Sequence, residues 1–214
     1  MAERIVLGGR SDATRDEAVR RAGAVLREGG VAILPAEGLY GYHALAASAP
    51  GIARLESLKP RGPGKGWIGL VARPGDAYRW IAALPAPAAA LIHAHWPGAL
   101  TLVLDAGPSV PPSLLGPGET VALRCPGSSF LREVILAAGG LVVSTSANAP
   151  GAPPAVSAPP PDAVPDGVSL VVDSGPLSGA PSTVVRAEGE RVTVLREGAV
   201  ILPEAPLDAP PGGP

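Results

Sequence analysis

The sequence predicts a single α/β domain built on a mixed, twisted sheet with flanking helices. Three observations carry this. Apolar residues make up 46% of the 214 positions and charged ones only 17%, enough to bury a core even though 28 Gly and 27 Pro stand near the level at which disorder is suspected. Strand and helix patterns alternate through the early part of the chain, and strand patterns cluster late, which fits a mixed sheet in one layer architecture.

Taken in order, residues 12–28 place Ala18, Val19, Ala22, Val25 and Leu26 at helical spacing, with Ser11 or Asp12 as a cap and Gly29-Gly30 as a stop. VAIL at 31–34 reads as a buried strand ended by Pro35, and PAEGLYGYHALAAS as a loop leading to a helix near 50–58. WIGLVA (67–72) is a second buried strand, helices are expected at 75–83 and 86–94, and HWPGALTLVL gives a Pro-Gly turn and a strand at 100–104. After turn-rich residues 106–118 come a strand at 120–125, a helix at 128–138 and a strand over 140–148 that runs into a polar loop. The Pro-rich stretch APGAPPAVSAPPPDAVPDG is expected as an ordered surface excursion with a flexible part. Strands at 168–173, 182–186 and 191–196 complete the sheet, so the domain is expected to span 1–202, with a flexible tail over 203–214.

Charge and cysteine content narrow the function. Lys+Arg 17 against Asp+Glu 19 give a net charge of −2, so any basic site has to be local. Aromatic residues at 3% are too few for a base-stacking platform. The lone Cys125 excludes an internal disulfide framework and a multi-Cys zinc site, which fits a reducing cytoplasm. No run approaches 18 uninterrupted apolar residues, and Met1-Ala-Glu-Arg lacks a secretory profile, so no membrane association is expected.

Rare residues mark two stretches. Both lysines, Lys59 and Lys65, lie with Arg61 in LKPRGPGKGW, and the single asparagine, Asn148, lies in STSANAPG. GPGKG is not a Walker loop, because Pro60 and Gly66 stand where a glycine and a Ser/Thr are needed, and no GxGxxG occurs. What remains is either a solvated charged loop or a cationic loop with exposed N–H groups suited to polyphosphate. STSAN offers three hydroxyls and an amide that can serve phosphate, carboxylate or water-bound magnesium, or simply an Asx/ST turn. His93 and His95 have no third ligand nearby in sequence and read as a helix-end pair; Cys125 reads as a buried structural thiol, and no Gly-x-Ser-x-Gly elbow is present.

Together, GGVAILPAEGLYGYHALA, LESLKPRGPGKGWIGLVA, HWPGALTLVL, TVALRCPGSSFLREVI, GLVVSTSANAPGAPP, STVVR and VTVLREGAV resemble, in order, the motifs of the YrdC-type domain of threonylcarbamoyl-AMP synthases. The likeness runs over nearly all of residues 15–201 and points to the stand-alone form without an extra C-terminal domain. It implies a YrdC-like mixed sheet around a large concave cleft with a positive floor. It also implies condensation of ATP, with Mg2+, bicarbonate and L-threonine to L-threonylcarbamoyl-AMP and pyrophosphate. The group would then pass to tRNA through a partner transferase complex, with weak RNA contact by the cleft. Carried over by position, the resemblance places Lys59, Arg61, Thr120, Ser146, Asn148 and Arg196 on the ATP side. Lys65, Arg124, Ser144 and Ser182 fall on the amino-acid side, and Pro35, Ala36, Glu37, Tyr40 and Gly41 in the signature loop. No nucleophile or protein-held metal is implied, since attack of an N-carboxylated amino acid on an α-phosphate needs positioning and charge neutralisation. The sequence departs from the pattern at Ala36 and Gly38, where the family has threonine or a small residue, and at Pro63, a displaced proline. Two other readings stay open: a relative acting on another carbamoyl or amino-acid substrate, and a non-enzymatic RNA-binding module using the same cleft.

Overall fold

The computed structural model describes residues 2–8, 12–60, 66–148 and 152–202. Its strands are β1 (Glu3–Val6), β2 (Val31–Pro35), β3 (Tyr40–Leu45), β4 (Ile68–Leu70), β5 (Leu100–Asp105), β6 (Leu115–Gly116), β7 (Thr120–Arg124), β8 (Val142–Ser146), β9 (Val168–Asp173), β10 (Thr183–Glu188) and β11 (Arg191–Arg196). They form one sheet in the order β1-β9-β2-β3-β8-β4-β7-β5-β10-β11, with β6 beside β7. Parallel pairs (β1/β9, β2/β9, β4/β7, β5/β10) mix with antiparallel ones such as β2/β3, β3/β8 and β5/β7, as the expected mixed sheet requires.

Four helices flank the sheet: α1 (Asp12–Arg27), α2 (Ala49–Leu58), α3 (Ala86–His95) and α4 (Ser129–Ala138). α1 buries the stripe Ala18, Ala22, Val25 and Leu26, and the chain leaves it through Gly29 at φ +79°. The Ser48 hydroxyl caps α2 at the Gly51 amide (3.2 Å), Ser128 caps α4 at the Leu131 amide (3.3 Å), and Gly139, at φ +78°, ends α4.

Three sequence expectations need correction. The segment after Pro35 is not a loop throughout: Tyr40–Leu45 forms β3 between β2 and β8. The helix expected at 75–83 is a 3₁₀ helix over Pro74–Trp80. β1 was not anticipated and pairs with β9, far along the chain. Of the expected Pro-rich excursion, residues 149–151 lie outside the described residues, as does the tail from 203.

Alternation along the strands assigns each face its own core. Val31, Ile33, Tyr42, Val143, Val171, Leu102 and Leu123 point into one apolar cluster, together with residues of α2 and α3. Ala32, Leu34, Leu70, Val142, Leu170 and Val172 point the other way, into a cluster closed by α1 and α4. Continuing that second face in steps of two leads from Val142 to Ser144 and Ser146, and from Leu70 to Ile68 and to its register partner Arg124. These residues line an open cleft. The site is the stretch of the α1/α4 face that those helices leave uncovered.

Candidate functional site

The cleft has a volume of about 480 Å³, within the usual small-molecule range of roughly 300–1,000 Å³. Its floor comes from the ends of β3, β8, β4 and β7 and one wall from the 36–41 turn, with Ala180, Pro181, Ser182 and Arg196 facing it.

The turn is built by its backbone. The Ala36 amide donates to the Leu39 carbonyl (2.9 Å), and the segment crosses the 174–181 connection so closely that a Cβ on Gly38 would lie 2.5 Å from the Gly179 Cα. Tyr40 is fully buried; its hydroxyl donates to the Gly175 carbonyl (2.8 Å) and accepts from the Ser174 amide (2.9 Å). Gly41 faces Ser146, where a side chain would press on the Thr145 carbonyl at 2.9 Å. Pro35 closes β2 as a buried residue behind this turn rather than as part of the lining.

Glu37 reaches from the turn to the Arg124 guanidinium (Oε2 to Nη2, 2.5 Å) and also accepts from the Gly127 amide. Arg124 further donates Nε to the Gly98 carbonyl (2.9 Å). Across the cleft, Arg196 donates to the Ser182 carbonyl (2.7 Å) and hydroxyl (3.1 Å), and the Ser182 hydroxyl meets that of Thr101 (2.8 Å). Burial, then the charge of Arg124, lowers the pKa of Arg196 from its ordinary value. Two guanidiniums that disfavour each other, with Glu37 paired to Arg124 alone, make a site that gains from an anionic ligand.

At the other end, the Lys59 ammonium at the C-terminus of α2 donates to the Ser146 carbonyl (3.2 Å) and to both the carbonyl and Oδ1 (3.0 Å) of Asn148. The Asn148 amide donates onward to the Ala152 carbonyl (2.5 Å). The two stretches marked by rare residues therefore meet. Ser144 lies on the floor with its hydroxyl 3.2 Å from His43 Nε2.

Most of the candidates carried by resemblance thus converge: Lys59, Ser146, Arg124, Ser144, Ser182, Arg196, Ala36, Glu37, Tyr40 and Gly41 line the cleft, and Asn148 joins them through Lys59. Thr120 does not join them. It begins β7, bonds its own turn through the Pro117 carbonyl (3.1 Å) and is not part of the cleft lining. Arg61 and Lys65 lie outside the described residues. Sequence reasoning missed His43 and the support that Thr101 and the Gly98 carbonyl give Ser182 and Arg124. All three depend on strand register, and only the Thr of HWPGALT carried a signal. His93 and His95 end α3, and among the described residues no three His, Cys, Asp or Glu side chains gather as metal ligands. Cys125 is buried, which pushes its thiol up to about 11.

Comparison with known proteins agrees with the fold and with the family resemblance. The Sua5/YciO/YrdC family model, described as "Telomere recombination", matches residues 24–198. A threonylcarbamoyl-AMP synthase of Alkalilimnicola ehrlichii is 39% identical over 140 residues, 65% of this chain and 73% of that protein. A putative threonylcarbamoyl-AMP synthase of Mycobacterium tuberculosis is 34% identical over 188 residues, 87% of this chain and 86% of that one. Among solved structures, P. abyssi Sua5 complexed with L-threonine superposes with a TM-score of 0.81 at 26% identity; the match covers 92% of this chain but 57% of the longer Sua5 chain. E. coli YciO, at 22% identity and a TM-score of 0.79, shares the fold over 92% of this chain and 95% of its own.

Proposed function

The chain belongs to the Sua5/YciO/YrdC family, and from that premise and the cleft we propose that it is an L-threonylcarbamoyl-AMP synthase. It joins ATP, bicarbonate and L-threonine into L-threonylcarbamoyl-AMP and releases pyrophosphate and the water lost when bicarbonate carboxylates the threonine amine. The observation that carries the reading is the meeting, in one cleft, of Lys59 with Ser146 and Asn148 at one end and of Arg124 with Ser144, Ser182 and Arg196 at the other. The first group suits the phosphates of a nucleotide and the second a carboxylate, so the two reactants are held end to end.

The chemistry asks the protein for placement and charge. The carbamate oxygen of N-carboxylated threonine attacks the α-phosphorus, the bond to the β-phosphate bridging oxygen breaks, and pyrophosphate leaves. Cationic and hydroxyl donors in a sheltered cleft stabilise the charge that shifts to the leaving group. Magnesium enters with the nucleotide, since the floor presents hydroxyls and carbonyls and Glu37, the one carboxylate of the lining among the described residues, is engaged by Arg124. The adenylate then serves a tRNA-modifying transferase complex in the cytoplasm, with the cleft rim in contact with RNA.

Ala36 keeps a second acceptor in view, because it lines the cleft without the hydroxyl the family pattern carries there. Pyrophosphate release from MgATP, measured with and without bicarbonate across a panel of amino acids, tests both readings. The synthase reading expects dependence on bicarbonate and threonine together. Release that ignores bicarbonate and every amino acid overturns it, and preference for a different amino acid selects the second acceptor.

A further inference from the structure

We propose that His43 is a positioning residue of the cleft: its imidazole donates from Nε2 to the Ser144 hydroxyl and so leaves the hydroxyl's own proton free for the bound amino acid. The inference rests on the reaction proposed above, because it takes an amino-acid carboxylate as the ligand beside Ser144.

The placement follows from register. His43 in β3 lies directly opposite Ser144 in β8, at the border between the face covered by α1 and the open floor. The imidazole is wholly buried, Nε2 stands 3.2 Å from the Ser144 Oγ, and Nδ1 meets no hydrogen-bond partner. The ring takes the space left by the missing side chain of Gly41, where a Cβ would come 3.0 Å from the His43 Cε1.

Protonation decides what the pair does. Burial lowers the His43 pKa to about 4, against the pull of the Gly41 and Ala32 carbonyls and with added help from the Arg124 charge, so the ring is neutral near pH 7. A neutral imidazole carries one proton. On Nδ1 that proton would be buried without a hydrogen bond, since the nearby Gly41 and Ala32 carbonyls stand outside hydrogen-bonding geometry, and Ser144 would have to spend its only proton on Nε2. On Nε2 it is paired with the Ser144 Oγ, and Nδ1 is left as a bare lone pair. Ser144 then accepts from within the protein and keeps one O–H to donate into the cleft. A carboxylate accepts only, so beside the Arg124 guanidinium this is the polarity the ligand needs.

The experiment combines a spectrum with kinetics. In protein labelled with 15N-histidine, the ring nitrogens of His43 are identified by their loss in His43→Leu. The expected spectrum is that of the Nε2–H tautomer, unchanged between roughly pH 6 and 8 as the low pKa requires. An Nδ1–H or a protonated ring overturns the proposal. In pyrophosphate release, His43→Leu is expected to raise the threonine KM about two- to tenfold, the worth of the neutral imidazole–hydroxyl hydrogen bond that aims Ser144, with kcat and the ATP KM unchanged. His43→Gln, which returns an N–H donor, is expected to recover most of that loss, and His43→Leu added to Ser144→Ala to cost little more than Ser144→Ala alone. Equal loss in Leu and Gln variants, or an ATP KM that moves with the threonine KM, marks a packing role and overturns the assignment. Wild-type protein that shows no threonine dependence defeats the reaction reading instead, and the tautomer spectrum separates the two failures.

Discussion

Lys59 illustrates how a single side chain carries two duties. Its ammonium gathers three oxygens of Ser146 and Asn148, so it pins the end of β8 to the end of α2 while placing positive charge at the rim. Charge-assisted contacts of this kind are worth about 1.5–3 kcal/mol each. Lys59→Ala is therefore expected to raise the ATP KM by about tenfold to a hundredfold in pyrophosphate-release assays, with the fold intact by circular dichroism. Lys59→Arg is expected to restore little, because a planar fork does not replace a compact ammonium among converging carbonyls. Wild-type ATP use in the alanine variant would make Lys59 an ordinary cap. Sequence alone singled out Lys59 and Asn148 by their rarity. It had no means of joining Glu37 to Arg124 or His43 to Ser144, because those pairs follow from register between strands distant in sequence.

At the scale of elements, glycine marks where backbones must approach. Gly23 lies inside α1, where alanine ordinarily improves a helix by about 1 kcal/mol. A Cβ there would sit 2.6 Å from the Ala137 Cβ and 2.9 Å from its carbonyl carbon on α4. Overpacking of that kind typically costs about 1–3 kcal/mol, so the clash wins. Gly23→Ala is expected to lower the midpoint of urea unfolding, and a raised midpoint would show the helices free to separate. The same logic explains the misread strand β3. Pro35, Gly38 and Gly41 break its pattern as a loop would, yet Gly41 is there because the Thr145 carbonyl passes 2.9 Å from where its Cβ would be. β1 escaped notice because its partner β9 is contributed from the far end of the chain, and a four-residue strand leaves little periodicity to read.

Asp173 ties β1 and β9 to the cleft wall. Burial alone would raise its pKa, but the Gly175 amide (2.9 Å), the Arg4 guanidinium (2.5 Å) and the Tyr40 hydroxyl (3.4 Å) outweigh it and hold the carboxyl below its ordinary value. A depressed carboxylate stabilises the fold above its unfolded pKa and loses that contribution as pH falls through the folded one. Stability is thus expected to decline from about pH 4 downward, and Asp173→Asn to be less stable at pH 7 with a flatter acid limb. Parallel acid limbs in the two proteins would remove Asp173 from this account.

Over the whole molecule, a chain of net charge −2 still presents a cleft with a cationic lining. Among the described residues, Lys59, Arg124 and Arg196 line the cleft against a single carboxylate, Glu37, on the face that α1 and α4 leave bare. The mixed α/β class was readable from alternating strand and helix patterns, and the cleft's membership largely from the resemblance. Thr120 was carried over by position, but the turn beside it keeps its hydroxyl. Among the described residues no helix is long and apolar enough to cross a membrane. The central claim is that this cleft joins bicarbonate and threonine to the adenylyl group of ATP. Mass spectrometry of the products formed from ATP, L-threonine and 13C-bicarbonate tests it most directly. The account predicts threonylcarbamoyl-AMP carrying the heavy carbon together with pyrophosphate. AMP without a carbamoyl group, or a carbamoyl-adenylate whose carbon does not come from bicarbonate, would contradict it.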